Sequence, residues 1–119
     1  MKEKIIYWVT TGLIAGLMIL SAFAYFTNPE VASNFSRLGF SDFFRQELAI
    51  AKIVGAIILL IPSIPTQIRE WVFAGFSITF ISAALVHFAA GDPIQAVIFP
   101  LVIFGVLILS HTFYFKVYR

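Results

Sequence analysis

Five side chains in this otherwise apolar chain carry groups that can bind a polar ligand or move a proton. They are Tyr25, Glu47, Lys52, His87 and Asp92. Ionisable groups of these kinds, when they lie within a membrane, are typical of ligand sites and proton relays. They can act together only if the fold brings them to the same depth, so the elements that carry them decide what they can do.

Most of the chain consists of four long apolar runs. They are residues 5–26, 48–61, 71–90 and 94–113. A helix needs roughly 20 apolar residues to cross the hydrocarbon core of a bilayer. Three runs reach that length, and the second reaches it if its helix begins near Ser41 or Asp42. The composition agrees, with 61% apolar and 12% charged residues and a mean hydropathy of +0.97.

These runs predict an all-α membrane protein that lies in the lipid bilayer as a four-helix transmembrane bundle. We expect a single domain over residues 1–119. The four transmembrane helices are predicted at about 4–26, 42–60, 67–90 and 93–114.

A short amphipathic surface helix is predicted between the first two spans. The Asn-Pro-Glu sequence at 28–30 is a favourable helix start. Val31, Phe35 and Leu38 then share one face, with polar residues on the other. Segment 29–38 is too short to cross a bilayer, so it is predicted to lie on the membrane surface.

The distribution of Lys and Arg predicts the orientation. One end of the bundle holds Lys2, Lys4, Arg69, Lys116 and Arg119, and the other holds Arg37 and Arg45. Cytoplasmic flanks of membrane helices carry the excess of Lys and Arg. We therefore expect a multi-pass protein of the cell membrane with both termini in the cytoplasm.

This topology brings the polar residues to similar depths in the outer half of the bundle. Lys52 and His87 each have small residues on their own helix face, which marks the side that packs on other helices. Tyr25 lies at the same end of the first helix, four residues from Ser21 and on the same face. Both carboxylates of the set, Glu47 and Asp92, also lie at this end. The sequence thus predicts one ligand-binding cluster for a polar headgroup, a quinone or a proton relay.

Each of these residues also has an ordinary structural role open to it. Lys52 can extend along its helix to the lipid headgroups. Asp92 can cap the last helix, and Glu47 can pair with Arg45 or with water. His87 can satisfy a backbone carbonyl.

Several kinds of site are excluded. The chain has no cysteine, which rules out disulfide chemistry, zinc thiolates and iron–sulfur clusters. His87 and His111 are more than about 20 Å apart in depth, so one chain cannot use both on one metal or haem. No spacing typical of a metal site or a phosphate loop is present. Scattered Lys and Arg, without a basic stripe, argue against nucleic acid as a partner.

Four segments, in order, carry a resemblance to a known family. They are 4–12 (KIIYWVTTG), 48–56 (LAIAKIVGA), 70–76 (EWVFAGF) and 87–92 (HFAAGD), with Phe40, Pro62 and Pro65 between them. In these the chain resembles the DoxX-like family of small four-helix bacterial membrane proteins. The resemblance implies a fold more than a reaction.

The DoxX-like family takes its name from a membrane subunit associated with quinone-linked thiosulfate oxidation in an archaeal respiratory system. Related branches resemble assembly or maturation factors for redox enzymes. The polar residues of this chain that match the family pattern are Lys52, His87 and Asp92.

Three functions remain open. The first is a redox-associated protein that binds a quinone or another amphipathic ligand, with Lys52 and His87 on its polar head. The second is a non-catalytic subunit or assembly factor that binds a membrane-protein partner or a second copy of itself. Small-residue faces and the surface helix within 29–45 would bind the partner; Gly12 and Gly16, one turn apart, would allow a neighbouring helix to approach, although glycine is common in membrane helices. The third, a solute carrier, is weakest because the chain shows no internal inverted repeat.

Overall fold

The computed structural model describes residues 1–118, and these form five α-helices without a β-strand. The helices are α1 (Lys2–Thr27), α2 (Pro29–Arg37), α3 (Asp42–Leu60), α4 (Thr66–Ala89) and α5 (Ile94–Tyr118). Three of them, α1, α4 and α5, are long and apolar enough to cross a bilayer. The chain is therefore an all-helical membrane protein.

The four longer helices lie side by side in a ring, in the order α1, α3, α4, α5 and back to α1. The connections, which include α2 between α1 and α3, lie at alternate ends, so neighbours in the ring run antiparallel. The molecule measures 45 × 26 × 20 Å. Its long dimension matches the roughly 40–45 Å of a bilayer with its headgroups.

Apolar side chains fill the ring and also cover its outside. Ile14, Leu59 and Leu107 are almost completely buried at the centre. In contrast, Trp71 and Phe88 are 65% and 71% exposed on the outer surface. Large apolar side chains on so much of the surface would be unfavourable in water, and they fit a protein surrounded by lipid.

α2 is the short amphipathic helix that the sequence predicts. Its start is capped by Asn28, whose side chain accepts a hydrogen bond from the Glu30 amide at 2.9 Å. Val31 and Phe35 are half-buried, because α2 packs against α1 and α3 at one end of the ring. The helix thus covers that end of the protein.

A glycine in α3 brings this helix close to α4. A methyl group built on Gly55 would lie 2.7 Å from the ring of Phe76. Lys52, one turn earlier, lies on the same side of α3 and is only 6% exposed. The small residues on this face therefore turn the lysine into the protein rather than toward lipid.

Arg69 is completely buried at the end of the ring that holds both termini. It donates hydrogen bonds to the Tyr7 hydroxyl at 2.9 Å, to the Leu59 carbonyl at 3.1 Å and to the Ile61 carbonyl. The last carbonyl groups of a helix have no hydrogen-bond donor within the helix. Arg69 provides these donors at the end of α3. Arg69 lies at the end where the Lys and Arg count placed it, but its burial as a helix cap was not predicted.

Gly12 and Gly16 lie on the outer surface of α1. A methyl group built on either glycine would meet no atom within 4 Å. The close helix approach that these residues allow is thus not used inside the chain.

We predict that Gly55→Leu destabilises the protein by about 1–3 kcal/mol, because the new side chain would overlap the buried Phe76 ring. The denaturation midpoint in mild detergent measures this effect. Gly75→Leu is the matched control, since a methyl group at Gly75 meets nothing within 4 Å. Equal midpoints for the two variants would contradict the packing described here.

Candidate functional site

A cavity of about 680 Å³ lies within the ring at the end that α2 covers. All five helices contribute to its walls, which are mainly apolar and include Phe80 and Ile103. Leu20, Ile78 and Phe99 also line it and are 62–67% exposed, so the cavity is not sealed from its surroundings. Its volume falls within the range of roughly 300–1,000 Å³ that is common for sites of small organic ligands.

A lysine and two hydroxyl groups form the polar part of this cavity. Lys52 Nζ donates hydrogen bonds to Ser21 Oγ at 2.9 Å and to Tyr25 OH at 2.6 Å. The ammonium group also lies 4.1 Å from the centroid of the Tyr25 ring. Ser21 and Tyr25 are one turn apart on α1, so both can reach the same lysine from α3. We call these three residues the Lys52 cluster.

A second polar group, the Asp92 cluster, ties α2 to the turn between α4 and α5. The Asp92 carboxylate accepts from His87 Nδ1 at 2.6 Å, and both of its oxygens pair with the Arg37 guanidinium at 3.2 Å. The hydrogen bond from His87, followed by that from Arg37, lowers the pKa of Asp92. His87 also lines the cavity, so the two clusters border the same space.

α2 closes the cavity with its apolar face. Val31, Phe35 and Leu38 all line the cavity, and the Phe35 ring packs on Tyr25 with centroids 4.9 Å apart. The residues that were expected to face lipid from a surface helix therefore face the protein instead. The reason is that these apolar side chains can pack over the apolar cavity at this end of the ring.

The structure brings together most, but not all, of the predicted site residues. Tyr25, Lys52 and His87 line the cavity, and Asp92 lies directly behind His87. Glu47 is exposed on α3 and does not line it. Within residues 1–118, Lys52 and His87 share no hydrogen bond, and each has partners of its own.

Two partners in these clusters were not predicted. Ser21 was placed at the correct depth and face, but its bond to Lys52 was not foreseen. Arg37 was assigned to the solvent face of a surface helix, whereas it pairs with Asp92. The sequence did place Arg37 and Asp92 at the same end of the bundle, and this could have indicated that they form an ion pair.

A second polar pair lies in the opposite half of the protein. His111 Nε2 lies 2.7 Å from Glu70 Oε1, beside a smaller cavity of about 260 Å³ between α4 and α5. Among residues 1–118, no group of three or more His, Asp or Glu side chains is arranged to hold a metal ion.

These features define a small helical membrane protein with a mainly apolar cavity whose wall contains a lysine. The family model of the DoxX-like family matches residues 9–110, which is most of the chain. The chain therefore belongs to the DoxX-like family. Comparison with the curated proteins and with the solved structures found no match.

We predict that acid loosens α2 from the rest of the protein. A carboxylate whose native pKa is lowered contributes stability above its ordinary pKa of about 3.9, and that stability is lost as the pH falls through the lowered value. Spin labels on cysteines introduced at Ser33 and Gln95, both exposed, report the distance from α2 to α5. The distance distribution should broaden below about pH 4.

Asp92→Asn should broaden the same distribution already at neutral pH, because it removes the charge that holds Arg37. Glu30→Gln is the control, since Glu30 is an exposed carboxylate of α2 without an ion pair among residues 1–118. An unchanged distribution in Asp92→Asn would show that this cluster does not hold α2.

Proposed function

We propose that this protein binds an amphipathic molecule within the membrane, in the cavity beneath α2, and serves a redox-associated role. The observation that carries the proposal is the cavity of about 680 Å³, whose apolar walls meet a buried lysine and two hydroxyls at one place. An amphipathic ligand needs this combination of an apolar chamber and a few converging polar groups.

The polar head of the ligand would lie against the Lys52 cluster, and its apolar part would contact side chains such as Phe80 and Ile103. A quinone fits these requirements, because its carbonyl oxygens accept hydrogen bonds and its ring packs on aromatic side chains. The redox association rests on what the family resemblance implies. A lipid-like amphiphile meets the same requirements of shape.

We also propose that α3 is a fourth transmembrane helix. Its 19 residues span about 28 Å, close to the thickness of the hydrocarbon core. Asp42, Arg45 and Glu47 lie in its first two turns, where they can reach the headgroups. Lys52 is the one deeper charge, and it is turned into the protein.

Four antiparallel spans place both termini on the same side of the membrane. With Arg69 buried as a helix cap, the flanking cations are Lys2, Lys4, Lys116 and Arg119 on that side, against Arg37 and Arg45 on the other. The asymmetry still favours cytoplasmic termini.

We predict that cysteines introduced singly at Ser33 and Ser63 react with a membrane-impermeant thiol reagent from opposite sides. Both positions are exposed, and the chain has no cysteine of its own. In intact cells Ser33→Cys should be labelled, whereas Ser63→Cys should be labelled only after the membrane is opened. Labelling of both in intact cells would rule out this topology.

A second candidate function is that of a non-catalytic subunit or assembly factor. The observation in its favour is the exposed pair Gly12 and Gly16, whose outer face is open and unoccupied. Such a surface allows close contact with a helix of another membrane protein or of a second copy.

We predict that gentle detergent extraction retains an amphipathic ligand in the wild-type protein, and that Lys52→Met lowers its amount at least tenfold. Loss of hydrogen bonds from a charged donor costs about 1.5–3 kcal/mol, which corresponds to this factor or more. Mass spectrometry of the extracted lipids, normalised to protein, provides the measurement. Lys116→Met is the control because Lys116 is an exposed cation away from the cavity.

Equal ligand content in Lys52→Met and wild type would contradict the proposed site. A stoichiometric protein partner without any retained ligand would instead favour the second function. In that case, the partner should remain bound in Lys52→Met and be lost when Gly12 is replaced by Leu.

A further inference from the structure

The cavity has a single lysine and no acidic residue in its wall. Ser21, Tyr25, Asn34, Thr79, Ser82 and His87 are the other polar or titratable residues that line it. Within residues 1–118, Lys52 forms no ion pair, and its two hydrogen-bond partners are neutral hydroxyls. Of the carboxylates at this end, Asp92 is already paired with Arg37 and His87, and Glu47 does not line the cavity.

The Lys52 cluster also offers several hydrogen-bond donors to the cavity. An ammonium group has three N–H donors, and Ser21 and Tyr25 use two of those of Lys52. Because both hydroxyl oxygens accept from the lysine, their own protons are left to donate elsewhere. One N–H and two O–H groups therefore remain available as donors in this cluster, and the ammonium group itself cannot accept a hydrogen bond from a ligand.

We infer that the headgroup of the ligand is a small anion, and that the ligand is a long-chain carboxylate. This inference rests on the proposed ligand-binding function and specifies the chemical class that the cavity takes. A positive charge in an apolar chamber is unfavourable without a counter-charge. A neutral carbonyl would satisfy the free N–H group, but only an anion also neutralises the charge and forms the stronger, charge-assisted hydrogen bonds.

A carboxylate suits the site better than a phosphate. Arg is over-represented at phosphate sites because its planar guanidinium can donate two parallel hydrogen bonds, whereas this cavity has one lysine and no arginine. Most of the remaining wall is apolar, and the exposed residues Leu20, Ile78 and Phe99 border it where an alkyl chain can enter from the bilayer. An acyl chain with one terminal carboxylate matches both parts of the cavity.

The test is a displacement assay on the full-length protein in lipid nanodiscs, with the fluorescent fatty acid cis-parinaric acid as the probe. Four competitors are compared: palmitate, its methyl ester, hexadecyl phosphate and a short-chain quinone. Palmitate should displace the probe at a concentration at least tenfold lower than the methyl ester or the quinone. Lys52→Met should abolish this preference, whereas Lys52→Arg, which keeps the charge, should retain much of it. Lys116→Met should behave like the wild type.

Equal displacement by palmitate and its methyl ester, or absence of probe binding, would overturn the inference. Stronger displacement by hexadecyl phosphate would replace the carboxylate with a phosphate headgroup and overturn it as stated. Displacement by the quinone alone would overturn the anionic headgroup while leaving the proposed function intact. Failure of every competitor, together with the absence of any ligand in extracted protein, would remove the proposed function itself.

Discussion

A polar group inside a membrane protein must find its partners within the protein, because lipid offers none. This constraint acts most strongly on two cations, Arg69 and Lys52, which are buried at opposite ends of the ring. At the end near the termini, Arg69 binds the carbonyls that terminate α3 and the hydroxyl of Tyr7 from α1. Arg69 thereby caps α3 and joins three helices at one point, although its buried Nε has no hydrogen-bond partner among the described residues.

The other end meets the same constraint in a different way. Lys52 is held by hydroxyls of α1 alone, so its hydrogen bonds are partly satisfied while its charge is not neutralised. The surrounding side chains do not fill the space beside it, and the cavity remains. Both cations lack an ion pair among the described residues, but Lys52 lines a large cavity, whereas Arg69 lines neither of the two cavities described above. The surroundings of the two buried cations therefore differ in the empty volume beside them.

α2 gives the cavity a cover that is separate from its walls. Its apolar face rests on the opening, and Arg37 fastens it to Asp92 in the turn that joins α4 to α5. His87 belongs both to this attachment and to the cavity wall. The attachment of α2 is therefore in direct contact with the cavity through one imidazole ring.

The sequence by itself determined the local elements. Long apolar runs determined the helices, the Asn-Pro-Glu sequence at 28–30 determined the start of α2, and small neighbours such as Gly55 determined that Lys52 points inward. These features depend on hydrogen bonds and periodicity within one segment, so they can be read without knowing the rest of the chain.

The tertiary structure alone decided which polar groups meet. It joined Lys52 to Ser21 and Tyr25 rather than to His87, left Glu47 outside, and turned Arg69 from a flanking charge into a buried cap. Periodicity shows which side of a helix faces the interior, but not which neighbour lies opposite. The identity of that neighbour depends on the order of the helices in the ring and on the rotation of each about its axis. Packing between segments distant in sequence sets both.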